Sequence, residues 1–284
     1  MALPLFPPTE DPGPDFSRLL RGSGDLAAPP AGDLALSVRH ATTVVALRFA
    51  NGIVMAGDRR ATEGHAIAHR AMEKVFPADR FSAVAIAGAA GFAVEMVRLF
   101  QTQLEHYEKV EGVTLSLEGK ANQLAQMVRQ QLPLAMQGLA VVPLFAGYDT
   151  ARGAGRIFTY DVTGGHYEEA DYQATGSGGR DARTTIKLGF REGLSRSEGV
   201  ELAIQALYEA ADEDSGTGGP DVVRGIYPTV SVVTADGYRE VPEEEVAARF
   251  QALIDRKRAE REAVAGPATR GPATGGPATG GEPA

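Results

Sequence analysis

The runs TTVVALRF (42–49), IVMA (53–56) and FSAVAIAG (81–88) are apolar on both faces, without the polar alternation of a sheet that turns one side to water. Such strands need cover above and below, so the chain must build layers on both sides of its sheets. Asn51-Gly52 stands between the first two runs, and because both residues tolerate positive φ the pair predicts a tight hairpin. Residues 91–110 place Phe92, Met96, Leu99, Phe100, Leu104 and Tyr107 at helical spacing. A second stripe follows through Leu117, Ala121, Leu124, Val128 and Leu132. Residues 141–148 and 156–160 read as a strand pair, 229–234 as a strand, and 179–190, 198–213 and 242–262 as helices. Blocks of strands and pairs of helices, rather than strict alternation, favour antiparallel sheets packed by helices.

This patterned segment is flanked by two others. Residues 1–41 hold many prolines and glycines with only brief apolar pairs, and residues 266–284 repeat Gly-Pro-Ala-Thr, which reads as linker-like sequence unable to bury apolar surface. The chain carries 28 basic and 37 acidic side chains, a net charge of −9, which argues against a nucleic-acid binder. It has no cysteine, so disulfides, thiolate nucleophiles and cysteine-ligated metals are excluded, in keeping with a reducing cytoplasm. No window approaches the ~20 apolar residues of a membrane span, and prolines break the only short apolar run near the N-terminus, so a secretory signal is not expected either. The histidines are scattered. His65 and His69 lie four apart without helical patterning or a nearby carboxylate set, so no metal site and no cofactor are expected.

The first strand begins late and opens with two threonines. Either the leader is a plain tail, or the chain is cut where the strand begins. If the bond between Ala41 and Thr42 were cut, Thr42 would hold a free α-amine beside its own hydroxyl. An amine with a pKa of about 7.7–8.0 can take the hydroxyl proton near neutral pH, and together they form a nucleophile and its base. The β-branched side chain leaves few χ1 choices for the oxygen.

HATTVVALRFANGIVMAGDRRAT resembles the opening of a catalytic β subunit of the 20S proteasome, of the actinobacterial kind, with its propeptide attached. Ala56-Gly-Asp-Arg-Arg60, Lys74-Val-Phe76, Ile86-Ala-Gly88, the stretch YQATGSG (172–178) and the stretch DSGTGG (214–219) are similar to five successive family motifs. The last two correspond to active-site loops. The resemblance implies an α+β, four-layer αββα sandwich of two antiparallel sheets flanked by helices, the N-terminal nucleophile hydrolase fold. It also implies a propeptide over 1–41 and a catalytic domain over 42–263, after which the composition predicts a disordered tail over 264–284.

Carried over residue by residue, the family's roles make Thr42 the nucleophile and its freed amine the base. Lys74 would favour the alkoxide-like oxygen, Asp58 would pair with Lys74 and keep it protonated, and the Gly88 N–H would face the oxyanion. Ser177, Asp214 and Thr217 would form a hydrogen-bonded wall orienting the amine and a water, with Thr43 an ordinary strand residue behind. Two positions depart from many relatives: Ala41 stands where glycine precedes the nucleophile, and Thr217 replaces a serine. By the same resemblance Ala61, Met72, Phe76, Ile86 and Ala90 would line an apolar pocket for the residue before the cut, while Thr62 and Ala90 would offer backbone groups to an extended peptide.

The implied partners are proteasome α subunits and further β subunits in four stacked seven-membered rings, α7β7β7α7. A regulatory ATPase ring or other activator would feed in unfolded or tagged proteins, without nucleic acid or membrane. Two alternatives stand beside this: a catalytically silent ring subunit, and the simpler two-ring threonine peptidase, against which the long leader counts.

Overall fold

The computed structural model describes residues 42–63 and 66–265. Among these, the chain runs through β1 (Thr43–Phe49), β2 (Gly52–Gly57), β3 (Ala61–Glu63), β4 (Ala66–His69), β5 (Val75–Asp79) and β6 (Ser82–Gly88). Helices α1 (Ala90–Glu111), α2 (Leu117–Gln130) and the single turn α3 (Leu132–Ala135) follow, then β7 (Val141–Asp149), β8 (Ala154–Tyr160), β9 (His166–Glu169) and β10 (Tyr172–Gly176). The rest is α4 (Gly179–Gly189), α5 (Arg196–Glu213), β11 (Thr229–Thr234), β12 (Gly237–Glu240) and α6 (Glu243–Ala265).

The strands form two five-stranded antiparallel sheets, in the orders β10-β1-β2-β11-β12 and β5-β6-β7-β8-β9, while β3 and β4 pair as a separate hairpin. Successive strand residues point to opposite faces, and the two faces serve different layers. Val45, Leu47, Val54 and Ala56 pack against residues of α4, α5 and α6. Their neighbours Val44, Ala46, Ile53 and Met55 meet Ala83, Ala85, Leu144 and Ala146 of the other sheet. The far face of that sheet, with Val84, Ile86, Phe145 and Phe158, packs against α1 and α2, where Phe100 meets Phe145 edge-on at 5.9 Å. The result is the expected αββα sandwich, and the double burial explains why the central strands show no polar alternation.

Several boundaries differ from the sequence reading. Leu99 and Tyr107 are exposed, because the inward stripe of α1 is Ala93, Met96, Val97, Phe100 and Leu104; Leu99, one residue before Phe100, is turned about 100° from it. Pro133 at the start of α3 separates Leu132 from the second stripe, so α2 ends at Gln130. A capping box of Ser195 and Glu198 starts α5 before residue 198. Residues 172–176, expected as loop, are a strand along β1, and α6 continues to Ala265. The expected propeptide, Ala41 and residues 266–284 lie outside the described residues. No helix among the described residues is long and apolar enough to cross a membrane.

Candidate active site

Thr42 directly precedes β1, with 6% of its surface exposed. The pairing of β10 with β1 ends opposite Thr43, so the turn after β10 delivers Ser177 to Thr42. The Ser177 N–H donates to the Thr42 carbonyl at 2.8 Å, and the Thr42 N–H donates to Ser177 Oγ at 3.3 Å.

Asp58 leaves the end of β2, 1% exposed, and is held on both carboxylate oxygens. Its Oδ1 accepts from the Thr43 N–H at 2.8 Å and from Lys74 Nζ at 2.7 Å. Its Oδ2 accepts from the N–H groups of Arg60 at 2.9 Å and Gly218 at 2.8 Å. Lys74, one residue before β5 and 2% exposed, also donates to the Arg60 carbonyl at 2.5 Å. Burial lowers the Lys74 pKa below the ordinary lysine value, and the attraction of Asp58 only partly offsets it. The ammonium is therefore readier to release a proton than an exposed lysine, which tempers the expectation that Asp58 simply keeps it charged.

A second network runs behind the first strand. Ser177 Oγ donates to Asp214 Oδ2, and so does Thr217 Oγ1 at 2.6 Å. Asp214 caps the C-terminal end of α5. Burial pushes its carboxyl up, but the hydroxyls of Ser177 and Thr217 and the Gly216 and Thr217 amides outweigh that and hold its pKa below the usual carboxylate value. Thr217 has given its one proton to Asp214, so in its 2.6 Å contact with Thr43 Oγ1 it accepts and Thr43 donates. Thr43 Oγ1 in turn accepts from the Gly178 N–H at 3.0 Å. A Cβ on Gly178 would stand 2.6 Å from Thr217 Oγ1 and 2.8 Å from Thr43 Oγ1, so the two hydroxyls can meet there only over a glycine.

Of the expected wall, only Ser177 bonds to the Thr42 nitrogen. Asp214 reaches it through Ser177, and Thr217 bonds to Thr43 instead. Thr43, read as an ordinary strand residue, contributes its N–H to Asp58 and its hydroxyl to Thr217. The tandem threonines were the available signal for this. Arg60, whose carbonyl holds Lys74, carried no signal, because a backbone acceptor does not depend on the side chain.

Gly88 ends β6 with φ of 111°, a left-handed conformation that favours glycine, and a Cβ there would sit 2.1 Å from the Ala140 carbonyl oxygen. Among the expected pocket residues, Phe76 and Ile86 share the cluster under α1 and α2, and Ile86 is 3% exposed, a backing wall rather than open surface. Ala61 and Thr62 are buried in β3, Met72 is tied by its N–H to the Arg59 carbonyl at 2.9 Å, and Ala90 opens α1.

The family model described as proteasome subunit matches residues 38–224. Proteasome subunit beta of Acidimicrobium ferrooxidans is 62% identical over 266 residues, covering 92% of this chain and 97% of its own. Proteasome subunit beta of Streptomyces griseus is 56% identical over 234 residues, covering 82% and 83% respectively.

Proposed function

The chain belongs to the proteasome subunit family, and on that premise we propose that it is the catalytic β subunit of a 20S core particle, a threonine endopeptidase whose nucleophile is Thr42. The observation that carries the reading is the surroundings of Thr42. Its nitrogen faces Ser177, while the adjoining Thr43 N–H and the buried Lys74 share one oxygen of Asp58.

The leader 1–41 is a propeptide, removed by self-cleavage between Ala41 and Thr42. The freed amine, held by Ser177 and through it by Asp214, takes the proton of the Thr42 hydroxyl as that oxygen attacks a peptide carbonyl. Lys74 stabilises negative charge on the attacking oxygen, and the Gly88 N–H stabilises it on the carbonyl oxygen. Collapse of the tetrahedral species transfers the proton to the leaving amine and leaves an ester on Thr42. Water, activated by the same amine, then hydrolyses the ester. The apolar set Ala61, Met72, Phe76, Ile86 and Ala90 favours hydrophobic residues before the cut, with the peptide extended along Thr62 and Ala90. The subunit works in the cytoplasm, in an α7β7β7α7 stack served by an activator such as an ATPase ring, on unfolded or tagged proteins. Residues 42–263 form the catalytic domain.

A silent ring subunit has no use for a lysine buried against an aspartate, since a buried ion pair is weak support for stability. The test is intact-mass measurement of the assembled particle together with hydrolysis of a fluorogenic peptide ending in an aromatic residue. A chain beginning at Thr42, and loss of hydrolysis in Thr42→Ala, are the expected results. A retained leader in a fully active particle would overturn the reading.

A further inference from the structure

Beside the Asp58–Lys74 pair lies a cavity of about 30 Å³ that the proposed chemistry does not use. Three arginines, Arg59, Arg60 and Arg70, are among the residues that line it, with Gly218 and Asp221. None of the three arginines makes an ion pair among the described residues. Arg60 spends one nitrogen on the carbonyls of Ser215 and Thr217, at 3.1 and 3.3 Å. Among the described residues the Arg59 guanidinium reaches only the Ala71 carbonyl, at 3.3 Å, and its Nε–H is buried without a partner. The carboxylate on the wall is already committed, because Asp221 accepts from the Arg224 guanidinium at 2.6 Å and from the Arg224 N–H at 3.1 Å.

Three like charges beside one small cavity repel one another, and a buried donor without an acceptor is unfavourable. In a chain of net charge −9 this is a local reversal of sign. Guanidinium donors form a rigid fork that matches the paired oxygens of a carboxylate or phosphate, and a cavity of this size accepts the oxygens of one such group.

We propose that the Arg59–Arg60–Arg70 cavity binds a single oxyanion, a carboxylate or phosphate group, and thereby braces the two segments that hold Asp58. Arg60 and Gly218 lie on opposite segments, both line the cavity, and both donate their N–H to the same oxygen of Asp58. An occupant neutralises the arginines and draws residues 58–60 and 215–219 together. The group has two possible sources, a free inorganic anion or an acidic side chain of a neighbouring subunit. The binding claim stands by itself, whereas the effect on turnover rests on the proposed function.

The probe is inorganic phosphate, titrated against chloride at constant ionic strength, with the thermal midpoint of the full-length chain as readout before and after assembly. A saturable rise in midpoint is expected. A rise in both states identifies a free anion, and a rise confined to the unassembled chain identifies a neighbour's carboxylate. Arg70→Ala, at an exposed position, should fold normally and weaken the response at least tenfold, and Arg59→Gln should do the same. Crystals soaked in selenate should show an anomalous peak between Arg59 and Arg70 where the site is free. In Arg70→Ala, kcat should fall several-fold with KM unchanged. No saturable rise in either state, or a rise indifferent to both substitutions, overturns the site; a normal response with unchanged kcat in Arg70→Ala overturns the bracing. Because the thermal and crystallographic readouts need no catalysis, a particle inactive for other reasons still tests the site.

Discussion

The hydroxyl of Thr43 donates to that of Thr217 across 2.6 Å, joining residues 174 positions apart and tying the start of β1 to the loop that follows α5. Both side chains are fully buried. Through Thr217 the bond continues to Asp214 and Ser177, and so to the nitrogen of Thr42.

Thr43→Val keeps the shape of the side chain and removes the hydroxyl, leaving the buried Gly178 N–H without its acceptor. The expected cost is about 1–3 kcal/mol of stability. Turnover of a peptide substrate should drop roughly tenfold, an increment of about 1.4 kcal/mol, with KM unchanged. Thr43→Ser, which retains the oxygen, should recover most of the rate. A loss confined to Thr43→Ser, with Thr43→Val at the wild-type rate, would show that the methyl group matters and the hydrogen bond does not.

Lys74 and Asp58 form a buried pair at 2.7 Å, so removing one partner leaves a charge or a set of donors stranded. Lys74→Met alone, and Asp58→Asn alone, should each lower stability by about 3–5 kcal/mol. The double variant should be more stable than the sum of the two losses predicts, yet remain inactive. Denaturant midpoints for the four proteins give the coupling, and simple additivity would mean the pair does not act as a unit.

The pKa of Asp214 lies below the ordinary carboxylate value of 3.8 because hydrogen bonds outweigh its burial. A depressed acid stabilises the fold above its unfolded pKa, and that stabilisation is lost as pH falls through the folded pKa. The stability difference between wild type and Asp214→Asn should therefore be constant near neutrality and shrink on acidification below about pH 3.8. Urea midpoints measured across that range check it, and a gap that widens in acid would reverse the sign.

The layer between the sheets is lined by small residues, among them Ala46, Ala83, Ala85 and Ala146, all with no exposed surface. Ala85→Leu forces the sheets apart and should cost about 1–3 kcal/mol by overpacking. The thermal midpoint should fall by roughly 2–4 °C per kcal/mol. An unchanged midpoint would mean that the layer has room to spare.

The central strands and the long helices were legible because each is written in local pattern, as two-sided apolar runs and helical stripes. The first hairpin was legible too, but its turn is Ala50-Asn51, one residue earlier than the dipeptide predicted, with Gly52 already paired to Phe49 and neither Asn51 nor Gly52 at positive φ. The candidate residues Thr42, Asp58 and Lys74 could be named because the motifs around them resemble those of a known family, whose roles the resemblance carries over. Short strands such as β4, exposed throughout, and β9 were not legible, since they bury too little apolar surface to leave a pattern. Residues 172–176 read as loop because their strand character comes from pairing with β1, whose sequence lies far upstream.

What the linear order of residues fixes is local: where strands and helices can form, and which side chains are able to do chemistry. Which of those side chains meet was decided by folding alone. Ser177 reaches Thr42 across 135 positions because two strands align, and Thr217 reaches Thr43 because a helix ends beside them. A hydrogen bond depends on ångström distances between atoms that no short-range pattern relates, so Thr43 became visible as part of the site only once both sheets and α5 were assembled.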